Sequence, residues 1–291
     1  MFWLLILLLC VLFIGLLLVL AIHLGFRAPR EPNQVQPSEA GLVYQAVEFD
    51  SASRVQLSAW WLPAQSQSTH SIVMIHGWGS NRSALLPLAK SFVAAHWNVL
   101  MVDAHNHGDS EGKGDSTMPK FSLDLDAGIA WLKQAHPQQS NTIVAVGHSV
   151  GAAATLLSAA RTHSADGYIA IASFAHPRLM MQRYLGGLAK IPFLSQFILS
   201  YVQWAIGHNF DDIAPVNSVQ KVQAPVLCLH GNQDSVIPVD DHYWMCQQAN
   251  RWVECVEIDG ADHDSIELID QHFPVIEKFL QAVREEKLDA I

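Results

Sequence analysis

Residues Gly147-His148-Ser149-Val150-Gly151 stand between an apolar run, Thr142 to Val146, and a small-residue stretch, Ala152 to Leu157. A buried strand, a sharp turn and a helix are the context in which a G-x-S-x-G turn lifts a serine hydroxyl out of a sheet. Two glycines are required because neighbouring backbone passes close to both sides of the turn. Ser149 then sits at the positive end of the following helix, where negative charge developing on oxygen is favoured.

The rest of the chain supplies the matching sheet. Val43–Phe49 and Val55–Leu62 read as an antiparallel pair turning near Asp50 and Ser51. Short apolar, β-branched runs follow at 71–76, 98–103, 141–146, 167–172, 225–230 and 252–258, as expected of strands covered on both faces. Helical patterns lie between and after them, at 83–95, 123–134, 152–161, 240–249 and 273–286. This alternation predicts an α/β fold: a mainly parallel central sheet, right-handed crossovers and helices on both faces. One stretch, residues 174–212, separates two strands by roughly forty residues, too long for a crossover loop, and predicts a helical lid insertion. In it Phe193, Phe197, Tyr201 and Trp204 fall at helical spacing. That stripe is either the core face of a helix or the lining of an acyl pocket.

The N-terminus is of another kind. Residues 1–22 carry no charged side chain, and as a helix they would extend roughly 33 Å, enough to cross a bilayer. No basic residue precedes the apolar run and no small-x-small site follows it, so an uncleaved anchor is expected rather than a signal peptide. Residues 23–41, with three prolines after Phe26, read as a linker holding residues 42–291 off the membrane. Arg27 and Arg30 follow the helix and only the α-amine precedes it, which leans the catalytic domain toward the cytoplasm. A net charge of −10 without a basic cluster excludes a nucleic-acid partner. Cys10, Cys228, Cys246 and Cys255 form no metal or disulfide pattern and read as reduced, buried thiols.

A serine nucleophile needs a histidine to take its proton and a carboxylate to orient that histidine. Both follow Ser149 in order. Asp234 lies in the loop after the strand 225–230, and His263 in the loop after 252–258, at the carboxyl ends of strands where such sheets bind ligands. Asp240 and Asp241 fit the first turn of a helix, Asp262 and Asp264 flank the proposed base, and His230 reads as structural. The oxyanion of a tetrahedral intermediate needs backbone N–H donors. Val150 supplies one, and Trp78 in the loop His76-Gly77-Trp78-Gly79 the other, with Gly79 as the substitute. His148, at the variable elbow position, is placed near substrate.

These motifs together, HGWGSN at 76–81, GHSVG at 147–151, residues 212–216 leading into APVLCLHGNQD, and GADHD at 260–264, resemble the α/β-hydrolase superfamily. Within it the chain is similar to membrane-anchored α/β-hydrolase-domain proteins and to the serine aminopeptidase family, over residues ~43–285. The resemblance implies acyl transfer to water through an acyl-enzyme, with no metal or organic cofactor. An ester or thioester of an apolar acyl group is the expected substrate, and peptidase activity is the alternative that the family name brings. Where relatives read D-x-R-G-x-G-x-S, this chain has Asp103-Ala104-His105-Asn106-His107-Gly108-Asp109-Ser110. That replaces the arginine and whatever charge pairing it makes, and leaves the triad intact.

Two rival classes compete with this reading. His105-x-His107-x-Asp109 resembles the HxHxDH zinc box of metallo-β-lactamase-like hydrolases. Ser110 replaces the last histidine, however, and the strand order fits the other fold. A non-catalytic, membrane-tethered binding domain with a relic triad is the third class, and a serine-directed phosphonate distinguishes it.

Overall fold

A computed structural model describes residues 1–289. The chain begins with helix α1 (Phe2–Gly25) and then lays down β1 (Gln45–Asp50), β2 (Gln56–Leu62) and β3 (His70–Ile75). Helix α2 (Leu86–Ala94), β4 (Asn98–Val102), α3 (Met118–Ala135), β5 (Thr142–His148), α4 (Val150–Arg161) and β6 (Gly167–Ile171) follow. The insertion comprises α5 (Pro177–Leu185) and α6 (Pro192–Ile206), and the short turns α7 (Phe210–Ile213) and α8 (Pro215–Ser218) return to the sheet. Strand β7 (Val226–Gly231), α9 (Val239–Gln248), β8 (Val253–Ile258), α10 (Ile266–Gln271) and α11 (Phe273–Asp289) complete it.

The eight strands run in the order β1-β2-β4-β3-β5-β6-β7-β8. β1 and β2 are antiparallel, β2 meets β4 antiparallel, and β3 to β8 are parallel. Side-chain alternation sends successive residues to opposite faces. Val73 and Ile75 of β3 join Ile143 and Ala145 of β5 under α3 and α4. Ile72 and Met74 join Val144 and Val146 under α2 and α11. This two-sided core places the loops after β3, β5, β7 and β8 together at the carboxyl edge.

Three expectations change. First, α3 begins at Met118, five residues earlier than its periodicity indicates, because the Thr117 side chain accepts the Lys120 N–H and Pro119 fits the first turn. Second, Cys246 and Cys255 are not thiols: they form a disulfide between α9 and β8, with Cα atoms 6.1 Å apart. Spacing in sequence gave no sign of a bond that depends on a helix packing against the edge strand beside it. Cys10 and Cys228 are free.

Third, the stretch after α1 is no free linker. The Arg30 guanidinium donates to the Ser110 carbonyl. The Asn33 amide donates to Asp103 and Asp109, each at 2.9 Å. Asn81 reaches the carbonyls of Glu31 and Pro32. The end of α1 is held too: His23 Nδ1 donates to Asp115, and Nε2 accepts the Tyr201 hydroxyl of α6, both at 2.9 Å. Leu18, Ile22 and Phe26 pack on Ile198, Leu199, Val202 and Phe210, so α1 and the insertion share a small core of their own.

Candidate active site

The elbow between β5 and α4 forces Ser149 into a backbone conformation that L-residues rarely adopt, φ 56° and ψ −119°. A Cβ at Gly147 would strike the Gly151 carbonyl and the Thr155 hydroxyl, and one at Gly151 would strike the His76 carbonyl. Those two glycines are therefore fixed by space. The Ser149 N–H donates to the Ile171 carbonyl at 2.9 Å, tying the strained turn to β6.

The Ser149 hydroxyl lies 2.9 Å from His263 Nε2, and His263 Nδ1 lies 2.7 Å from Asp234 Oδ2. Asp234 is buried, and its other oxygen accepts the N–H groups of Val236 and Ile237 at 2.9 and 2.7 Å. His230 Nε2 donates to the Ile237 carbonyl at 2.9 Å and lies 3.3 Å from Asp234 Oδ2. Burial alone would raise the Asp234 pKa; hydrogen bonds from His230, His263 and Ile237 outweigh it and hold the carboxyl far below its ordinary range. The carboxylate is thus charged throughout the neutral range. Asp262 secures the histidine loop by accepting the N–H groups of His263 (2.7 Å) and Ser235 (2.9 Å).

His148 is placed beneath this array rather than beside a ligand. It is buried, its Nε2 donates to the His263 carbonyl at 2.8 Å, and burial together with His263 lowers its pKa to about 4. It supports the His263 loop as a neutral imidazole, which corrects its assignment to substrate.

The loop after β3 is bracketed by two more neutral histidines. His76 Nδ1 donates to the Gly77 carbonyl at 2.7 Å, and Nε2 accepts the Ala104 N–H at 3.1 Å. His107 Nδ1 donates to the His105 carbonyl, and Nε2 accepts the Gly79 N–H at 3.0 Å. Burial, then His76, lowers the His107 pKa to about 4. The Gly79 N–H is therefore engaged and is no oxyanion donor. Gly77 lies against Ser149: a Cβ there would approach the Ser149 Cβ at 3.0 Å. Trp78, next in the chain, stacks on Phe121 and lines a cavity beside Val150.

The H-x-H-x-D segment does not converge on an ion. His105 Nδ1 donates to Asp124 at 2.6 Å, His107 is engaged as above, and Asp109 pairs with Arg82 at 2.6 Å. The positive partner of buried Asp103 is Arg82, which meets it through Nη1 at 3.2 Å and through its own N–H at 2.7 Å. Arg82 also lies over the Trp60 ring at 4.2 Å. Arg82 follows the HGWGSN motif directly, which is the sequence signal that could have found it. Gly108 has φ +46°, and a Cβ there would enter the Asp103 carboxylate, so only glycine fits.

The cavity, about 510 Å³, falls within the usual range for small-molecule sites. Its walls come from Met180 and Met181 of α5, Ile198 and Val202 of α6, and Phe174. The predicted aromatic stripe of α6 does not line it. Phe193, Phe197 and Trp204 are exposed, and the Tyr201 hydroxyl binds His23. The helix presents its 198–202–206 edge inward, about half a turn away from the 193–197–204 edge. Aromatic spacing alone could not show which edge faces in. Asp241 likewise exceeds its helix-turn role: its Oδ2 accepts the Ala175 N–H at 2.9 Å and it pairs with Arg183, fastening the base of the insertion.

A mostly parallel eight-stranded sheet with a serine at such an elbow defines the α/β-hydrolase fold, and this chain has that fold. Residues 66–209 match the family described as serine aminopeptidase, S33. Alpha/beta hydrolase domain-containing protein 17C of Mus musculus is 22% identical over 264 residues, covering 89% of this chain and 73% of that protein. An uncharacterized protein of Bacillus subtilis is 27% identical over 212 residues, 66% of this chain and 68% of its own length. Among solved structures, an esterase of Pyrococcus furiosus superposes with a TM-score of 0.72 at 24% identity, covering 88% of this chain and 98% of its own, which shows a shared fold.

Proposed function

We propose that the protein is a membrane-anchored serine hydrolase that cleaves carboxylic esters or thioesters of apolar acyl groups. The observation that carries this reading is the unbroken hydrogen-bonded relay Ser149–His263–Asp234. His263 Nε2 takes the hydroxyl proton as Ser149 Oγ attacks the carbonyl carbon. Charge on the carbonyl oxygen is met by the Val150 N–H, at the first turn of α4, and by the Trp78 N–H. His263 returns its proton to the departing alcohol or thiol, leaving an acyl-serine and a free product. Water then repeats the sequence: it loses a proton to His263, attacks the acyl-serine, and the proton returns to Ser149 as the acid leaves. Asp234 stays ionised throughout and stabilises the imidazolium, in keeping with its depressed pKa.

The cavity supports an acyl substrate over an α-amino peptide. Among the described residues that line it there is no Asp or Glu to hold an ammonium group. Helix α1, long enough to cross a bilayer and without charge from Phe2 to Ile22, is read as the anchor.

The test is hydrolysis of p-nitrophenyl esters from acetate to palmitate by the full chain in detergent, beside Ser149→Ala and with chelator present. We expect chelator-resistant activity that falls at least about 10³-fold in the variant, together with phosphonate labelling of Ser149. Absence of both turnover and labelling overturns the reading.

A further inference from the structure

The cavity has a wall that does not belong to the hydrolase fold. Leu18, Ala21, Ile22, Gly25 and Phe26 of the N-terminal segment face it across from Ile198 and Val202 of α6. The same contact is a packed seam, closed by the Ile22 and Phe26 side chains and by the His23–Tyr201 hydrogen bond at 2.9 Å. The depth of this wall follows from helix geometry. A hydrocarbon core about 30 Å thick takes ~20 helical residues, so a helix beginning at Phe2 emerges near Ala21. The cavity-lining turns straddle that boundary.

The outer face of the insertion agrees. Helix α6 contains no charged residue in its 15 positions. Phe193 is 87% and Trp204 74% exposed, and Tyr184 of α5 is 68% exposed, beside exposed Leu188, Ile191 and Phe197. An apolar, aromatic surface of this kind is ill suited to water and well suited to the headgroup layer, where Trp and Tyr concentrate. Helix α6 thus meets α1 along one edge and turns its aromatic edge outward.

We propose that the cavity is an acyl-chain site opening into the bilayer, with the membrane helix as one wall and the aromatic face of α5 and α6 seated in the headgroup layer. The substrate class is then a bilayer-resident, long-chain acyl ester or thioester, drawn in sideways along the seam between α1 and α6. This rests on the serine-hydrolase reading and on α1 as an anchor, and it narrows the substrate from any apolar ester to one held in lipid.

Gly25 and Ala21 give the test. A Cβ at Gly25 meets nothing within 4 Å. Both residues line the cavity, so Gly25→Phe and Ala21→Phe add bulk to it from the membrane helix. Gly15, farther up α1 and equally open, supplies the control Gly15→Phe. The full chain in phosphatidylcholine vesicles would be assayed with p-nitrophenyl palmitate and p-nitrophenyl acetate, and each variant labelled with a phosphonate to verify an intact Ser149 site. We expect the palmitate-to-acetate ratio of kcat/KM to fall at least tenfold in Gly25→Phe and Ala21→Phe and to stay within twofold in Gly15→Phe. The double change Phe193→Ser with Trp204→Ser should raise the KM for vesicle-borne palmitate severalfold. An unchanged ratio in both cavity variants that still label overturns the proposal, as does an equal drop from Gly15→Phe. A wild-type chain that neither labels nor hydrolyses acetate instead fails the underlying hydrolase reading, and the two failures are told apart by the labelling.

Discussion

The histidines around Ser149 differ in what they are built to do. Among the described residues only His263 joins Ser149 to a carboxylate, while His76, His107 and His148 hold backbone in place as neutral rings. His107 is the most testable of these. By accepting the Gly79 N–H it fixes the loop that carries Trp78, so in the proposed mechanism it is a positioning residue for the second oxyanion donor. Loss of one such donor lowers kcat by ~10²–10³, and loss of its support should lower kcat about 10–100-fold. His107→Ala should do so with little change in KM, and His107→Gln, which restores an acceptor, should recover part of it. A change confined to KM would refute the role. The same neutrality has a cost in acid. His107, His148 and His242 each have pKa values lowered to about 4 by burial, against 6.5 in the unfolded chain. Between those values the unfolded state binds protons that the folded state does not, so stability falls as pH drops from about 6.5 toward 4, by ~1.4 kcal/mol per pH unit for each group fully in its window. Asp234 has the opposite chemistry and a lower window: its depressed pKa stabilises the fold above 3.8, and that contribution is lost only as pH falls further. Thermal denaturation from pH 7.5 to 4.5 should therefore show a decline beginning near pH 6.5, which His148→Gln makes shallower. A Tm flat across that range would refute it.

At the scale of elements, strands were legible because a doubly covered sheet writes itself as continuous apolar runs, and β3 to β7 fall within about two residues of those runs. The juxtaposition of Ser149, His263 and Asp234 was legible for a related reason, since each occupies a turn or loop directly after such a run. What was hidden depended on contacts between distant segments. The inward edge of α6 is set by α1 and Phe210, the disulfide by α9 lying on β8, and the partner of Asp103 by a turn folding Arg82 back on it. Helix α10, only six residues long, has too few turns for a period to emerge. Asp241 illustrates the same limit, since in sequence it is a helix-turn carboxylate and in space it clamps the insertion. Asp241→Ala leaves the buried Ala175 N–H without an acceptor and frees Arg183. Such a loss costs ~1–3 kcal/mol. Faster tryptic cleavage at Arg178, Arg183 and Lys190 is expected, with cleavage elsewhere unchanged. Uniform acceleration at all sites would mean global destabilisation and refute a local clamp.

For the whole molecule, with α1 proposed as a membrane anchor, two observations bear on which side the hydrolase domain would lie. Arg27 and Arg30 after α1 favour the cytoplasm through charge bias. Both, however, sit in a segment docked on the domain: Arg30 binds the Ser110 carbonyl, and the neighbouring Pro29 packs on Gly79. A positive charge with a structural task is weaker topological evidence than one in a free loop. The Cys246–Cys255 bond argues for an oxidising compartment, because cytosolic thiol systems keep such pairs reduced. With its partners nine positions apart in the chain, the bond closes a short loop and contributes about 2–3 kcal/mol by chain entropy. Cys246→Ser should accordingly lower Tm by several degrees. Topology follows from counting thiols. Chains drawn directly from cells into denaturant with maleimide-polyethylene glycol should take two tags, on Cys10 and Cys228, and four only after reduction. Two tags would place the domain on the oxidising side, with the proposed acyl cavity facing the outer leaflet. Four tags without reduction place it in the cytoplasm, with the seam between α1 and α6 turned to the inner leaflet.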